Sequence, residues 1–184
     1  FIDPVWWLFV TWLPTFLKEQ FAFDIKQIGA FAWFPYLLAA IGSLVGGYYS
    51  SRLIAKGVNA VRARKNAITI GCAIMLVSLI AIVVLLNRLK EEPAIAIALI
   101  SVTLFGFQFL INNIQTLPSD FFNGKNVGTV AGMGGTAAVA GVLITTWMVP
   151  VLTKTSYVSF FVLAAVLVPL AWLSLKLFAS RTMV

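Results

Sequence analysis

Gln108, Asn112, Gln115 and Ser119 interrupt an otherwise apolar stretch at i, i+4, i+7 and i+11, a spacing that places all four on one face of a helix. Amides and hydroxyls turned to lipid cost free energy, so this face must meet protein or water. One reading is hydrogen bonding between helices, worth about 0.6 kcal/mol per contact. The other, which four aligned polar groups favour, is a polar cavity that holds a hydroxyl-rich or anionic solute. Asn113 stands beside the stripe. The N-terminal stretch supplies Asp3, Pro4, Trp6, Trp7, Thr11, Trp12 and Pro14. Asp3 reads either as an ionisable group at membrane depth beside a helix-breaking proline, which is functional by default, or as an interfacial cap with Trp6 and Trp7 as an aromatic belt. Phe34, Pro35 and Tyr36 are open to the same two readings.

Other chemistry is excluded by composition. With no histidine there is no Ser-His-Asp triad, imidazole metal cluster or imidazole proton relay. The single cysteine, Cys72, lies in an apolar run and reads as a small packing residue. Asp120 has no second Asp with which to form a catalytic pair. We therefore expect no catalytic residues, no bound metal and no cofactor, and the chain is not expected to be an enzyme.

The elements that position these residues are membrane helices. Of the 184 residues, 61% are hydrophobic and 10% charged, against about 25% charged in a soluble domain. Apolar runs extend over residues 5–17, 28–51, 66–89, 94–117, 127–152 and 157–178. All but the first are long enough to cross a core of about 30 Å. The first has thirteen residues, about 20 Å of helix, so a truncated span over about 1–17 is expected. The chain opens at Phe1 with no initiator Met and no charged segment followed by a cleavage site, and is expected to be part of a longer one. Barrel strands would alternate apolar and polar positions, which these runs do not.

Six crossings put eight basic and two acidic residues on one side and five basic and four acidic on the other. The excess places both termini and the 52–65 loop, with Arg52, Lys56, Arg62, Arg64 and Lys65, in the cytoplasm. The net charge of +7 follows from that rule, and nucleic acid is not an expected partner.

A faint repeat relates run one to run four, through Trp12-Leu13-Pro14-Thr15 and Thr116-Leu117-Pro118-Ser119, and run two to run five, through Gly42-x-x-x-Gly46 and Gly128-x-x-x-Gly132. Three spans repeated after three spans is an inverted 3+3 plan. Gly42, Gly46 and Gly47 on one span, with Gly128, Gly132, Gly135 and Gly141 on another, permit close helix approach. Any single glycine reads as static packing; their concentration on two helices favours a moving interface.

The segment Gly47-x-x-x-Ser51-Arg52-x-x-x-Lys56-Gly57 resembles the cytoplasmic-loop signature of the major facilitator superfamily in its C-terminal copy, G-x-x-x-D-R-x-x-x-(R/K)-G, with Ser51 where the family usually has Asp. Asp3-Pro4-Val5-Trp6-Trp7, Trp12-Leu13-Pro14, Leu117-Pro118-Ser119-Asp120-Phe121-Phe122 and Val127-Gly128-Thr129-Val130-Ala131-Gly132 are similar to the hexuronate-transporter branch of the anion:cation symporters. The resemblance covers the whole chain and implies an all-α polytopic membrane protein, six helices spanning 1–184 as the C-terminal half of a major facilitator fold.

It also implies a secondary active transporter in the inner membrane, coupling protons to a small organic anion such as a sugar acid, with a missing N-terminal six-helix half as partner and the bilayer as surroundings. Trp6, Trp7, Trp12, Gln108, Asn112, Asn113, Gln115 and Thr136 are the substrate-site candidates; Asp3, Arg52 and Asp120 are the candidates for coupling or gating. In the family most coupling carboxylates and the anion-binding Arg lie in the other half, and no Lys or Arg stands in the middle of these spans. The alternative is a six-span channel or scaffold subunit; an Arg-rich sensor helix and a T-V-G-Y-G filter, which would favour a channel, are absent.

Overall fold

The computed structural model describes residues 1–89, 91–122, 124, 126–154 and 156–179. Three of the basic residues in the charge count, Lys90, Lys125 and Arg181, lie outside them. The described residues form helices and connecting turns: α1 (Asp3–Phe21), α2 (Ile25–Phe31), α3 (Trp33–Ala55), α4 (Ala60–Leu89), α5 (Pro93–Phe121), α6 (Val127–Leu152) and α7 (Val158–Ala179). Five stretches, with α2 and α3 taken together, are long and apolar enough to cross a membrane.

Local chemistry moves several boundaries from those expected. Helix α1 runs for 19 residues, about 28 Å, because it continues through Lys18, Glu19 and Gln20 and takes Asp3-Pro4 as its first turn. Proline has no N–H to lose there, so Pro4 opens the helix instead of breaking it. Helix α2 starts at a capping box: Gln27 N–H donates to Asp24 Oδ1 at 2.7 Å and Asp24 N–H to Gln27 Oε1 at 2.9 Å, satisfying two donors at the helix start.

The expected 52–65 loop contracts to a turn around Gly57, whose φ of 85° is the left-handed conformation that glycine adopts without strain. Asn59 Oδ1 then accepts Arg62 N–H at 3.2 Å, a cap that starts α4 six residues before the apolar run. Arg52 thus belongs to α3, and Arg62, Arg64 and Lys65 belong to α4.

Helix α5 is the centre of one packed group. A Cβ on Gly42 would press on the Phe105 carbonyl, and one on Gly46 on the Phe109 carbonyl, so α3 lies against α5 backbone to backbone. On another side Gly71 and Gly106 bring α4 close as well, though less tightly, a Cβ on Gly71 lying 2.8 Å from Gly106 O and one on Gly106 lying 3.0 Å from Gly71 O. The buried Ser78 and Thr103 hydroxyls, 2.8 Å apart, add polar adhesion at this contact, where apolar area drives little association because lipid is equally apolar.

A second region joins α1 and α7 through aromatic edges, with Phe9 5.7 Å from Phe160 and Phe16 5.3 Å from Phe161. Tyr157, at the start of α7, donates its hydroxyl to Glu19 of α1 at 2.7 Å. Burial, and secondarily that carboxylate, hold the Tyr157 phenol well above its usual range, so it remains a donor. Helix α6 leans on α1 near Gly141, where an added Cβ would sit 3.3 Å from Pro4 Cγ. Over most of its length α6 is exposed.

Candidate functional site

The stripe on α5 is graded. Gln108 and Asn112 are half-buried, whereas Gln115 and Ser119 are exposed. Asn112 Nδ2 donates to Ser43 Oγ of α3 at 2.6 Å, and Ser119 Oγ donates to Thr116 O at 2.7 Å within α5. Gln108 and Gln115 make no side-chain hydrogen bond to another described residue. Two amides on this face are therefore unspent among the described residues.

Aromatic residues tie α1 to the helix that carries the stripe. Trp6 stacks on Phe107 with centroids 5.2 Å apart and meets Tyr36 edge-on at 6.1 Å, tying α1 to α5 and α3 beside Gln108. Trp7 is 46% exposed and shares the open face of α1 with Thr11 and Pro14, which follow it at i+4 and i+7. Trp12 is half-buried, and its Nε1 is enclosed with no hydrogen-bond partner among the described residues. An enclosed donor without an acceptor costs about 1–3 kcal/mol, so this indole is a conspicuous group to offer an acceptor. Thr136 on α6 is exposed but spends its hydroxyl on Gly132 O at 3.0 Å.

Asn113, next to the stripe in sequence, belongs to a different cluster because one residue of helix is a 100° rotation. It is fully buried. Its Nδ2 donates to Gly46 O at 3.3 Å and Phe109 O at 3.0 Å, and its Oδ1 accepts from Arg64 Nη1 at 3.4 Å. Arg64 Nη1 also donates to Ser50 Oγ at 3.0 Å, and its Nε donates to Asp120 Oδ2 at 3.3 Å. The two charged side chains are 18% exposed each. One guanidinium thereby joins the end of α3, the start of α4 and the end of α5.

Of the other coupling or gating candidates, Arg52 is exposed, bonds to the Tyr48 hydroxyl one turn earlier and lies over that ring at 5.7 Å. It does not enter the Arg64 cluster. Asp3 is half-buried in the first turn of α1, where the helix dipole favours a carboxylate.

Arg64 and Ser50 escaped the sequence reading because Arg64 was counted as loop charge and Ser51, not Ser50, matched the signature position. Ser51 is exposed and Ser50 buried. A signal was available: Arg64, Ile68, Gly71 and Met75 follow i, i+4, i+7 and i+11, placing the arginine on the inward face of a helix that starts before it.

The sequence profile of the Major Facilitator Superfamily matches residues 4–146. The chain is 34% identical over 139 residues to the hexuronate transporter of Escherichia coli (strain K12), covering 74% of this chain and 30% of that protein. It is 30% identical over 138 residues to a probable sulfoacetate transporter of Cupriavidus necator, covering 74% and 31%. It is 37% identical over 76 residues to the galacturonate transporter of Dickeya chrysanthemi, covering 40% and 22%. The matched part thus spans under a third of the length of each of these relatives.

Proposed function

Because this chain belongs to the Major Facilitator Superfamily, we propose that it is the C-terminal six-helix half of a secondary active transporter that carries a small organic anion, such as a hexuronate or other sugar acid, in symport with protons. It is a multi-pass membrane protein of a transporter family, in our reading of the inner membrane, and performs no covalent chemistry. The observation that carries the substrate class is the α5 face, where the Gln108 and Gln115 amides have no partner among the described residues; the enclosed Trp12 N–H on α1 is a further donor without a partner among them. Amides pair with sugar hydroxyls and carboxylates alike, and indole N–H donates to either. The relatives, hexuronate and galacturonate transporters among them, point to the same solutes.

A half with no Lys or Arg in mid-span binds the hydroxyl-bearing side of such a solute, and a partner half supplies the cation for its carboxylate and the acids that move the proton. The open faces of α3, with Leu37, Ile41 and Leu44 exposed, and of α6 fit the contact with that half. Alternating access then rocks the two halves around the central site.

In the full-length protein, Gln108→Ala and Asn112→Ala are each expected to weaken substrate binding about two- to tenfold, since a hydrogen bond to a neutral hydroxyl is worth roughly 0.5–1.5 kcal/mol. Asn113→Ala instead leaves the Arg64 cluster short of an acceptor and lowers thermal stability. Binding measured on folded variants separates the two classes, and unchanged affinity for both Gln108→Ala and Asn112→Ala at normal stability would remove the stripe from the site.

The orientation is tested at Ser51, which is exposed at the basic end. In a Cys72→Ala background, Ser51→Cys should react with an impermeant thiol reagent in inverted vesicles and resist it in intact cells. Labelling of intact cells would reverse the assignment.

A further inference from the structure

Between α4 and α7 runs a groove of about 410 Å³ whose walls are apolar, with Leu76, Ile80 and Val83 on one side and Val162, Val166 and Leu173 on the other. The same two helix faces carry charge at one end. On α4 the positions 62, 65, 69, 76, 80 and 83 fall within one narrow stripe at 100° per residue, so Arg62, Lys65 and Thr69 continue the groove wall. On α7 the positions 162, 166, 169, 173 and 176 do the same and end on Lys176. Neither helix contains an Asp or Glu.

The two stripes are fastened where they change from apolar to basic. Trp172 Nε1 donates to Thr69 Oγ1 at 3.2 Å, and Lys176 Nζ lies 4.0 Å from the centre of the Trp172 ring. The ammonium is held at the mouth of the groove by the cation–π contact, while Arg62 and Lys176 both remain exposed. From Leu173 to Val162 the α7 wall extends about 16 Å at 1.5 Å per residue, close to half of a hydrocarbon core of about 30 Å. The site has the length of one leaflet, an apolar trough and a cationic mouth.

We infer that this groove binds an anionic phospholipid, with an acyl chain along the α4–α7 trough and the phosphate between Arg62 and Lys176. Basic pockets between membrane helices take such headgroups, and the trough distinguishes the site from general attraction to a charged surface. A second copy of the chain is the competing occupant. In a shared bilayer two copies present their basic ends at the same depth, so the contact would set Arg62 and Lys176 of one against those of the other, and like charges oppose it. The inference does not depend on what the protein transports.

The test uses the natural full-length protein in detergent, with dioleoyl-phosphatidylglycerol and dioleoyl-phosphatidylcholine as probes that share chains and differ in charge. Native mass spectrometry should show phosphatidylglycerol retained at least about tenfold more tightly, and thermal stability should rise more with it than with phosphatidylcholine. Arg62→Gln with Lys176→Met should erase that preference while leaving the phosphatidylcholine response intact. Val166→Trp, which fills the trough, should remove retention of both lipids. Equal retention of the two lipids by the wild type would overturn the proposal, as would a preference that survives the double variant. A dimer that Val166→Trp dissolves would assign the groove to a second copy. If the double variant fails to fold, Lys176→Met alone must reduce the preference, because its stem still covers Trp172.

Discussion

Gly46→Ala is expected to destabilise the protein by roughly 1–3 kcal/mol, the usual cost of overpacking a filled contact, and Gly46→Val by more. The added Cβ meets the Phe109 carbonyl, with Cα and carbonyl carbon of Phe109 directly behind it. These are backbone atoms of the most enclosed helix, so no side chain can turn aside; α3 and α5 must separate. Separation would also pull Gly46 O from the Asn113 amide. Gly132→Ala on α6 is the matched control, because nothing lies within 4 Å of a Cβ built there and alanine is favoured over glycine in a helix by about 0.8–1 kcal/mol. Thermal denaturation in detergent should separate the two variants clearly. Transport by the full-length Gly132→Ala protein then reports on the moving interface: a stable variant with slowed transport assigns the α6 glycines to contact outside this chain. Equal stability of Gly46→Ala and wild type would contradict the close α3–α5 approach.

Arg64→Ala is expected to cost a similar or larger amount, about 2–4 kcal/mol. It leaves the partly buried Asp120 carboxylate without its ion pair and takes one donor from Ser50 and from Asn113. Hydrogen bonds to charged groups are worth about 1.5–3 kcal/mol, and stranding the partner adds its desolvation penalty. Arg64→Lys keeps the charge but cannot reach three acceptors with one planar fork, so it should recover only part of the loss. Adding Asp120→Asn to Arg64→Ala should restore more, because the stranded charge is then gone. A double-mutant cycle on melting temperature checks this; strict additivity would mean that the ion pair contributes nothing. In the transporter reading this cluster fastens one end of α3, α4 and α5 so that they rock as one body.

Much of the fold is legible in the sequence because it depends on local properties. Apolar runs of about 20 residues must be helical, since a bilayer offers backbone groups no other partner, and five of the six runs correspond to helices able to span. The limits of those helices were less legible. A hydropathy boundary marks where lipid contact ends, whereas the Asn59 cap and the Asp24–Gln27 box decide where hydrogen bonding begins. That is why α4 takes in Arg64, and why the cluster around it was not anticipated.

The candidate site divides in the same way. Composition and spacing alone determined that this is an all-helical membrane chain without histidine or thiolate chemistry, with a polar stripe on its fourth apolar run, because residue type and 3.6-residue periodicity are properties of the chain itself. Only the tertiary structure decided that Asn112 lies on the half-open face while Asn113 is spent on the Gly46 and Phe109 carbonyls. Likewise Gly46 is pressed against a neighbouring backbone while Gly132 faces open space, although both belong to the same Gly-x-x-x-Gly pattern. Sequence spacing fixes which residues share a face; which neighbour that face meets is set by how six helices pack together, and no single helix carries that information.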